Sequence, residues 1–296
     1  MLKQKQITSV LNKLKKRDSW FLSDYSVNPY EGCSCNCQYC YVRGSKYGEN
    51  MDDGLVVKTN LPEILEKQLN SRAKKNQYGL VVVGSATDAY IHHEKEWKIT
   101  ERILELMLKY RFPVFISTKC GLITRDIELL KQIDRLAILP EDLKPTLKRG
   151  VVLSVSISTM DETISKTLEP GALLPLERLK VLQQLKQEGF LVGVNAIPTL
   201  PFISDTEEEL EKTIAAVKQH GADYILVGSL TLFGNDPADS RTLYYKFLQR
   251  HRPDLVTKYS AMYQQFTSPP FALQQALQQK TDRLCAKYKL RNRIIE

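Results

Sequence analysis

Long apolar runs are missing from this chain. The longest, such as Leu80-Val81-Val82-Val83, are strand-sized and far short of the ~20 residues that span a bilayer, so no membrane segment is expected. Residues 1–20 carry Lys3, Lys5, Lys13, Lys15, Lys16 and Arg17 with no apolar stretch among them, which is not how an export signal reads. A cytoplasmic protein is expected. Histidine is scarce, at four residues. His92 and His93 stand beside Glu94 and Glu96, but neighbouring imidazoles in a polar loop do not usually close on one metal, and no site is read there. No repeat is visible beyond a strand–helix unit, and there is no low-complexity tract. At 296 residues the chain suits one large α/β domain, or one domain with an appendage.

Negative charge is the scarcer sign. The net charge is +8, with basic residues gathered at Lys13 to Arg17 and at Lys280, Arg283, Lys287, Lys289, Arg291 and Arg293. Such an excess favours an anionic partner such as nucleic acid through steering and counterion release. No nucleic-acid-binding motif accompanies it, and solvated basic tails would account for it as well.

Cysteine is concentrated instead of spread. Four of the six thiols fall within Cys33-Ser34-Cys35-Asn36-Cys37-Gln38-Tyr39-Cys40. Cys33, Cys37 and Cys40 give C-x3-C-x2-C, with an aromatic residue before the last thiol. A short irregular loop with these gaps can fold three thiolates onto one cluster, and soft thiolates select iron–sulfur over hard metals. Three ligands leave a four-iron cluster with one open iron, able to bind and activate a molecule. A zinc knuckle is the alternative, with Cys35 as the fourth ligand; a disulfide framework does not suit an intracellular chain.

Around this loop the pattern alternates. Residues 25–30 read as a first strand entering it. Further strands are expected at 80–83, 113–118, 151–157, 191–197 and 224–227, each a continuous apolar run suited to burial on both faces. Between them, apolar residues recur at the helical period, with Asn60 and Thr100 as caps and Asp205 opening a helix whose first turn holds Glu207, Glu208 and Glu209. Six such units imply a parallel α/β sheet, a partial (β/α)6 TIM-type barrel whose chemistry sits at the strands' C-terminal ends. A basic segment 1–24, a barrel 25–235 and a C-terminal helical extension 236–296 packed on it complete the expected organisation. Cys285 reads as a small core hydrophobe.

The spacing C-x3-C-x-(aromatic)-C resembles the signature of the radical S-adenosylmethionine (radical SAM) superfamily. Asn28-Pro29-Tyr30-x-Gly32-Cys33, Thr87-Asp88-x-Tyr90, Ser117-Thr118-Lys119, Leu122-Ile123-x-Arg125-Asp126, Leu168-Glu169-Pro170 and Ile197-Pro198 follow in order. Together they resemble its spore-photoproduct-lyase-like branch, often labelled DNA-repair-photolyase-like, over residues 25–230. That resemblance implies a [4Fe-4S] cluster on Cys33, Cys37 and Cys40, chelating S-adenosyl-L-methionine at its open iron. Reductive cleavage then gives a 5′-deoxyadenosyl radical that abstracts hydrogen from a substrate, nucleic acid being one candidate. An electron donor such as flavodoxin or ferredoxin is implied. Tyr39 would shield the cluster near adenine, and the backbone at Gly84, Ser85 and Ala86 would meet the methionine amine. Lys119 would take the cofactor carboxylate. Ser156, with Ser154 or Ser158, would bond ribose or carboxylate, while Asn195, Ile197 and Val227 would sandwich adenine. Glu169 would receive a basic group or brace a turn.

Two departures qualify the likeness. Spore photoproduct lyases carry a hydrogen-donating cysteine at the end of the second strand, where this chain has Gly84-Ser85-Ala86; Cys35 and Cys120 are the spare thiols that remain for a radical or proton-relay role, or as passive groups. No cysteine-rich appendage is present to hold auxiliary clusters. The rival reading is a non-catalytic iron–sulfur or zinc protein binding nucleic acid through its basic ends.

Overall fold

The computed structural model describes residues 3–48 and 54–295; residues 1–2 and 296, the outer limits of the first and last expected segments, lie outside the described residues. The strands are β1 (Lys3–Lys5), β2 (Asn12–Lys13), β3 (Tyr25–Val27), β4 (Tyr30–Glu31), β5 (Val56–Lys58), β6 (Val81–Val83), β7 (Val114–Thr118), β8 (Val151–Ser156), β9 (Leu191–Thr199) and β10 (Tyr224–Ser229). The helices are α1 (Leu61–Lys74), α2 (Glu94–Trp97), α3 (Ile99–Tyr110), α4 (Ile127–Leu136), α5 (Glu162–Leu168), α6 (Pro175–Gln187), α7 (Glu207–Gln219), α8 (Ser240–His251), α9 (Val256–Tyr263) and α10 (Phe271–Tyr288).

Six strands pair in parallel in the order β10-β9-β8-β7-β6-β3, the expected partial barrel, and β2 adds antiparallel to β3. Alternation sorts their side chains into two layers. Val81, Val83, Val114, Ile116, Leu153, Val155, Val194 and Ile225 share the outer core with the helices, including Leu65, Met107, Leu130, Leu182 and Val217. Leu80, Val82, Phe115, Val152, Tyr224 and Leu226 fill the interior with Leu143, Leu147 and Ile294. An open barrel leaves two strand edges that would otherwise invite pairing with another chain. Here β2 covers one. The C-terminal segment covers the other, where Ile225 N donates to Arg291 O at 2.9 Å.

Several local expectations differ. The first strand breaks at Asn28-Pro29: residues 25–27 join the barrel, while Tyr30–Glu31 pairs with β5 in a separate sheet, β1-β5-β4. The basic segment 1–24 is therefore not a loose tail, since β1 and β2 tie it to both sheets. Asn60 precedes α1, but its side chain bonds Ile7 N and O at 2.9 Å each instead of capping. Thr100 lies inside α3 and donates to Ala89 O. Thr206, not Asp205, caps α7.

Of the C-terminal helices, α8 and α9 share a buried cluster with Tyr39, Leu168, Leu200 and Leu230, and α10 lies along α7 and β10. Cys285 is buried in the outer core. Among the described residues, no helix is long and apolar enough to cross a membrane.

Candidate functional site

The cysteine loop crosses the C-terminal ends of the strands and is pinned there from both sides. Gln38 N donates to Leu168 O at 2.8 Å, and Gly171 N donates to Cys35 O at 3.1 Å. Any side chain at Gly171 would put its Cβ 1.8 Å from Ser34 O, so the turn after Leu168-Glu169-Pro170 must end in glycine for the loop to seat. On the other side, Thr87 Oγ1 donates to Gly32 O at 2.6 Å, and Asn28 Oδ1 accepts from Ala86 N at 2.7 Å. Gly84 turns at φ +88°, where a Cβ would meet Thr87 O at 2.8 Å. Ser85 shares hydrogen bonds with Asn28, and its carbonyl accepts from Tyr41. The motif residues thus lock the loop to the β6 turn.

Among the described residues, the one trio of histidine, cysteine or acidic ligand atoms lying within 4.8 Å of one another is Cys35, Asp88 and Cys120. Cys33, Cys37 and Cys40 do not all meet that limit. One zinc ion would hold its thiolates about 3.8 Å apart at Zn–S of ~2.3 Å, a spacing these three thiols do not form together. All six cysteines are free. Burial drives the Cys37 thiol up, and Lys119 opposes that shift; bound iron would replace the proton.

Behind the loop lies a buried ionic group. Glu169 and Arg178 are each 1% exposed and form an ion pair. Tyr39 donates to Glu169, whose Oε1 also accepts from Ser158 Oγ at 3.1 Å. Arg178 further donates to Ser156 O at 2.8 Å and Leu173 O at 2.6 Å. Lys119 Nζ stands 3.9 Å from Glu169 Oε1. Burial would raise the Glu169 carboxyl, but Lys119, Arg178 and the hydrogen bonds outweigh it and hold it below the usual carboxylate range. Lys119 is shifted up: desolvation lowers it, and Glu169 and Cys37 more than compensate.

A polar row continues across the interior wall. Ser117 Oγ and Ser156 Oγ are 3.0 Å apart, and Asn195 Nδ2 donates to Ser117 Oγ at 2.9 Å. Ser154 bonds Gly193 O on the same face. Asn195 Oδ1 is buried with no protein partner, an acceptor fitted to a donor such as a nucleoside would bring. Ile197 packs against the interior cluster. Val227 does not: it belongs to the outer core, and its neighbour Leu226 takes the interior position. Ser158 lies past the end of β8 at the ionic group rather than on the wall. The His92 and His93 rings lie edge to face with centroids 5.8 Å apart. Sequence reading missed Arg178 altogether. Its signal was position: it precedes Leu182 and Leu185 on the buried stripe of α6.

The family model described as "Radical SAM superfamily" matches residues 27–217. An uncharacterised protein of Mycobacterium tuberculosis is 27% identical over 272 residues, covering 90% of this chain and 75% of its own. A radical SAM Nalpha-GlyT isomerase of Pseudomonas phage M6 is 22% identical over 204 residues, covering 68% of this chain and 38% of the phage protein. In fold, the chain is similar to spore photoproduct lyase with bound AdoMet and dinucleoside spore photoproduct, with TM-score 0.62, 16% identity, and coverage of 92% of this chain and 76% of that one. The matched span includes the pinned cysteine loop and barrel strands β6 to β9 whole, and this protein belongs to the radical SAM superfamily.

Proposed function

We propose that this protein reductively cleaves S-adenosyl-L-methionine at a [4Fe-4S] cluster held by Cys33, Cys37 and Cys40, and removes hydrogen from a nucleic-acid substrate in a lyase-like reaction. The observation that carries the reading is the C-x3-C-x2-C thiol motif with Cys37 beside a buried cation, Lys119, which shares one glutamate with Arg178. The cluster and cofactor supply one-electron chemistry; the protein binds, orients and excludes water. Lys119 supplies positive charge for a carboxylate. Ser117, Ser156 and the unpartnered Asn195 Oδ1 offer polar partners for a nucleoside. Tyr39, tied to Glu169 and Ser158, closes one side of the loop. The backbone at Gly84, Ser85 and Ala86 stands opposite it and is the proposed place for the methionine amine. The nucleic-acid substrate is supported by the fold likeness to a lyase with a bound dinucleoside.

The rival non-catalytic reading draws less support, because the basic C-terminal helix already faces acids: Arg283 pairs with Glu207, and Lys287 with Glu211. The deciding experiment is anaerobic reconstitution with iron and sulfide, then S-adenosylmethionine and dithionite, quantifying 5′-deoxyadenosine. Product from the native chain and none from the Cys33/Cys37/Cys40→Ala variant is expected. No product from a native chain carrying its iron overturns the proposal.

A further inference from the structure

Cys35 and Cys120 lie outside the cluster motif, yet the fold brings them together with Asp88. Cys35 Sγ is 3.6 Å from Cys120 Sγ and 3.8 Å from Asp88 Oδ2, and the three ligand atoms fall within 4.8 Å of one another. We propose that Cys35, Asp88 and Cys120 form a second metal site, for a single zinc ion, that clamps the cysteine loop to the ends of β6 and β7.

The spacing suits that ion. Tetrahedral zinc, with Zn–S near 2.3 Å and Zn–O near 2.1 Å, holds sulfurs about 3.8 Å apart and sulfur and oxygen about 3.6 Å apart. The carboxylate is already positioned. Asp88 Oδ1 accepts from Tyr90 N at 2.8 Å and Thr118 Oγ1 at 2.7 Å, and Oδ2 accepts from Lys119 N at 2.7 Å. These bonds fix the orientation of the group while Oδ2 keeps a lone pair toward the thiols, the arrangement that outer partners give a metal ligand. Cys120 is held in turn, its N–H donating to Thr118 Oγ1 at 3.0 Å. Cys35 is 1% exposed and anchored through its carbonyl to Gly171.

Charge also balances. Binding releases one proton from each thiol to solvent, with no change of oxidation state. Two thiolates and one carboxylate around a divalent ion leave one negative charge, and Lys119 is electrostatically coupled to Cys35. Water completes the fourth position. Because Cys35 lies between Cys33 and Cys37 and its thiol meets that of Cys33, the clamp would hold the cluster ligands in place from directly beside them.

The test uses the cluster-reconstituted protein, equilibrated with stoichiometric zinc, passed over a chelating resin, and measured for zinc and iron together by mass spectrometry. About one zinc per chain with iron retained is expected. Cys120→Ser and Asp88→Asn should each lower retained zinc at least about tenfold, while Cys33/Cys37/Cys40→Ala loses iron and keeps zinc. The proposal is overturned if the native chain keeps no zinc, if Cys120→Ser keeps it, or if zinc leaves together with the three cluster cysteines. Should Cys120→Ser lose both metals through misfolding, zinc-edge X-ray absorption of the native chain decides: two sulfur neighbours support the site and four refute it. This iron-independent readout separates the clamp from the proposed reaction.

Discussion

Two buried glutamates in this barrel are built from the same parts and end differently. Glu94, fully buried, accepts from the Tyr30 hydroxyl, from Thr100 N at 2.9 Å and from Arg125 Nη2 at 3.0 Å. Its arginine is also shared with Asp126 and Glu101, and Lys98 meets Glu101 at 3.3 Å, so three acids share two cations. Glu169 likewise meets a tyrosine hydroxyl and an arginine, but Lys119 is added, and two cations face one carboxylate. A buried excess charge is costly unless something completes it. The flank group's acids are met by Arg125, Lys98, the Tyr30 hydroxyl and backbone donors, and its work is to hold α2 and α3 against the turn before α4. The group behind the cysteine loop is left one positive charge open, facing Cys37, where an anionic cluster and a carboxylate are proposed to sit.

The largest effect expected from this contrast is on stability. Arg178→Met strands the Glu169 carboxylate, 1% exposed, with only the more distant Lys119 as a charge partner. A loss of about 3–5 kcal/mol follows. Arg125→Met leaves Glu94 its tyrosine and backbone donors, and the arginine is itself 24% exposed, so about 1–3 kcal/mol is expected. Urea unfolding of both variants without iron measures the difference; equal losses would break the comparison.

Next in size is Lys119→Met, which removes the surplus cation and leaves Glu169 and Arg178 as a closed pair. Stability should hold or rise slightly. Affinity of the reconstituted protein for S-adenosylmethionine should fall by about 10- to 100-fold, the worth of a charge-assisted hydrogen bond of ~1.5–3 kcal/mol. Equilibrium dialysis with labelled cofactor tests this. Unchanged affinity with diminished iron would reassign Lys119 to the thiolates.

The barrel was legible because its strands are apolar runs of unmistakable length, and the thiol motif because its spacing is local. The same apolar runs hid which way each side chain points. In Tyr224-Ile225-Leu226-Val227 both faces are apolar, so alternation gives no sign, and only pairing with β9 sets Leu226 inside and Val227 outside. Ser156 and Asn195 were easier, since a polar residue in an apolar strand marks the face that stays solvated or is used. The Cys35, Asp88 and Cys120 trio was invisible as a unit, because it joins three loops 32 to 85 residues apart in sequence, the two thiols meeting at 3.6 Å. Cap positions went astray where a tertiary partner outcompeted the helix end, as Ile7 does for Asn60.

The basic C-terminus shows the same limit, and it supports the smallest prediction. As sequence, Lys280, Arg283 and Lys287 look available to an anion. In the fold, Arg283 and Lys287 face Glu207 and Glu211, and Lys280 donates to Asp205 O. These cations sit over the acidic first turns of α7, where pairing with exposed acids is salt-screened and contributes little to stability. They are also poor phosphate partners, since the acids would have to be displaced or repelled. Binding of a single-stranded oligonucleotide, followed by fluorescence anisotropy across a salt series, should therefore change little in an Arg283→Ala, Lys287→Ala double variant. Each lost phosphate contact would flatten the plot of log affinity against log salt by about 0.7. A change near 1.4 would return the C-terminal helix to the nucleic-acid surface, whereas no change leaves the open cation beside the thiols as the positive charge that matters.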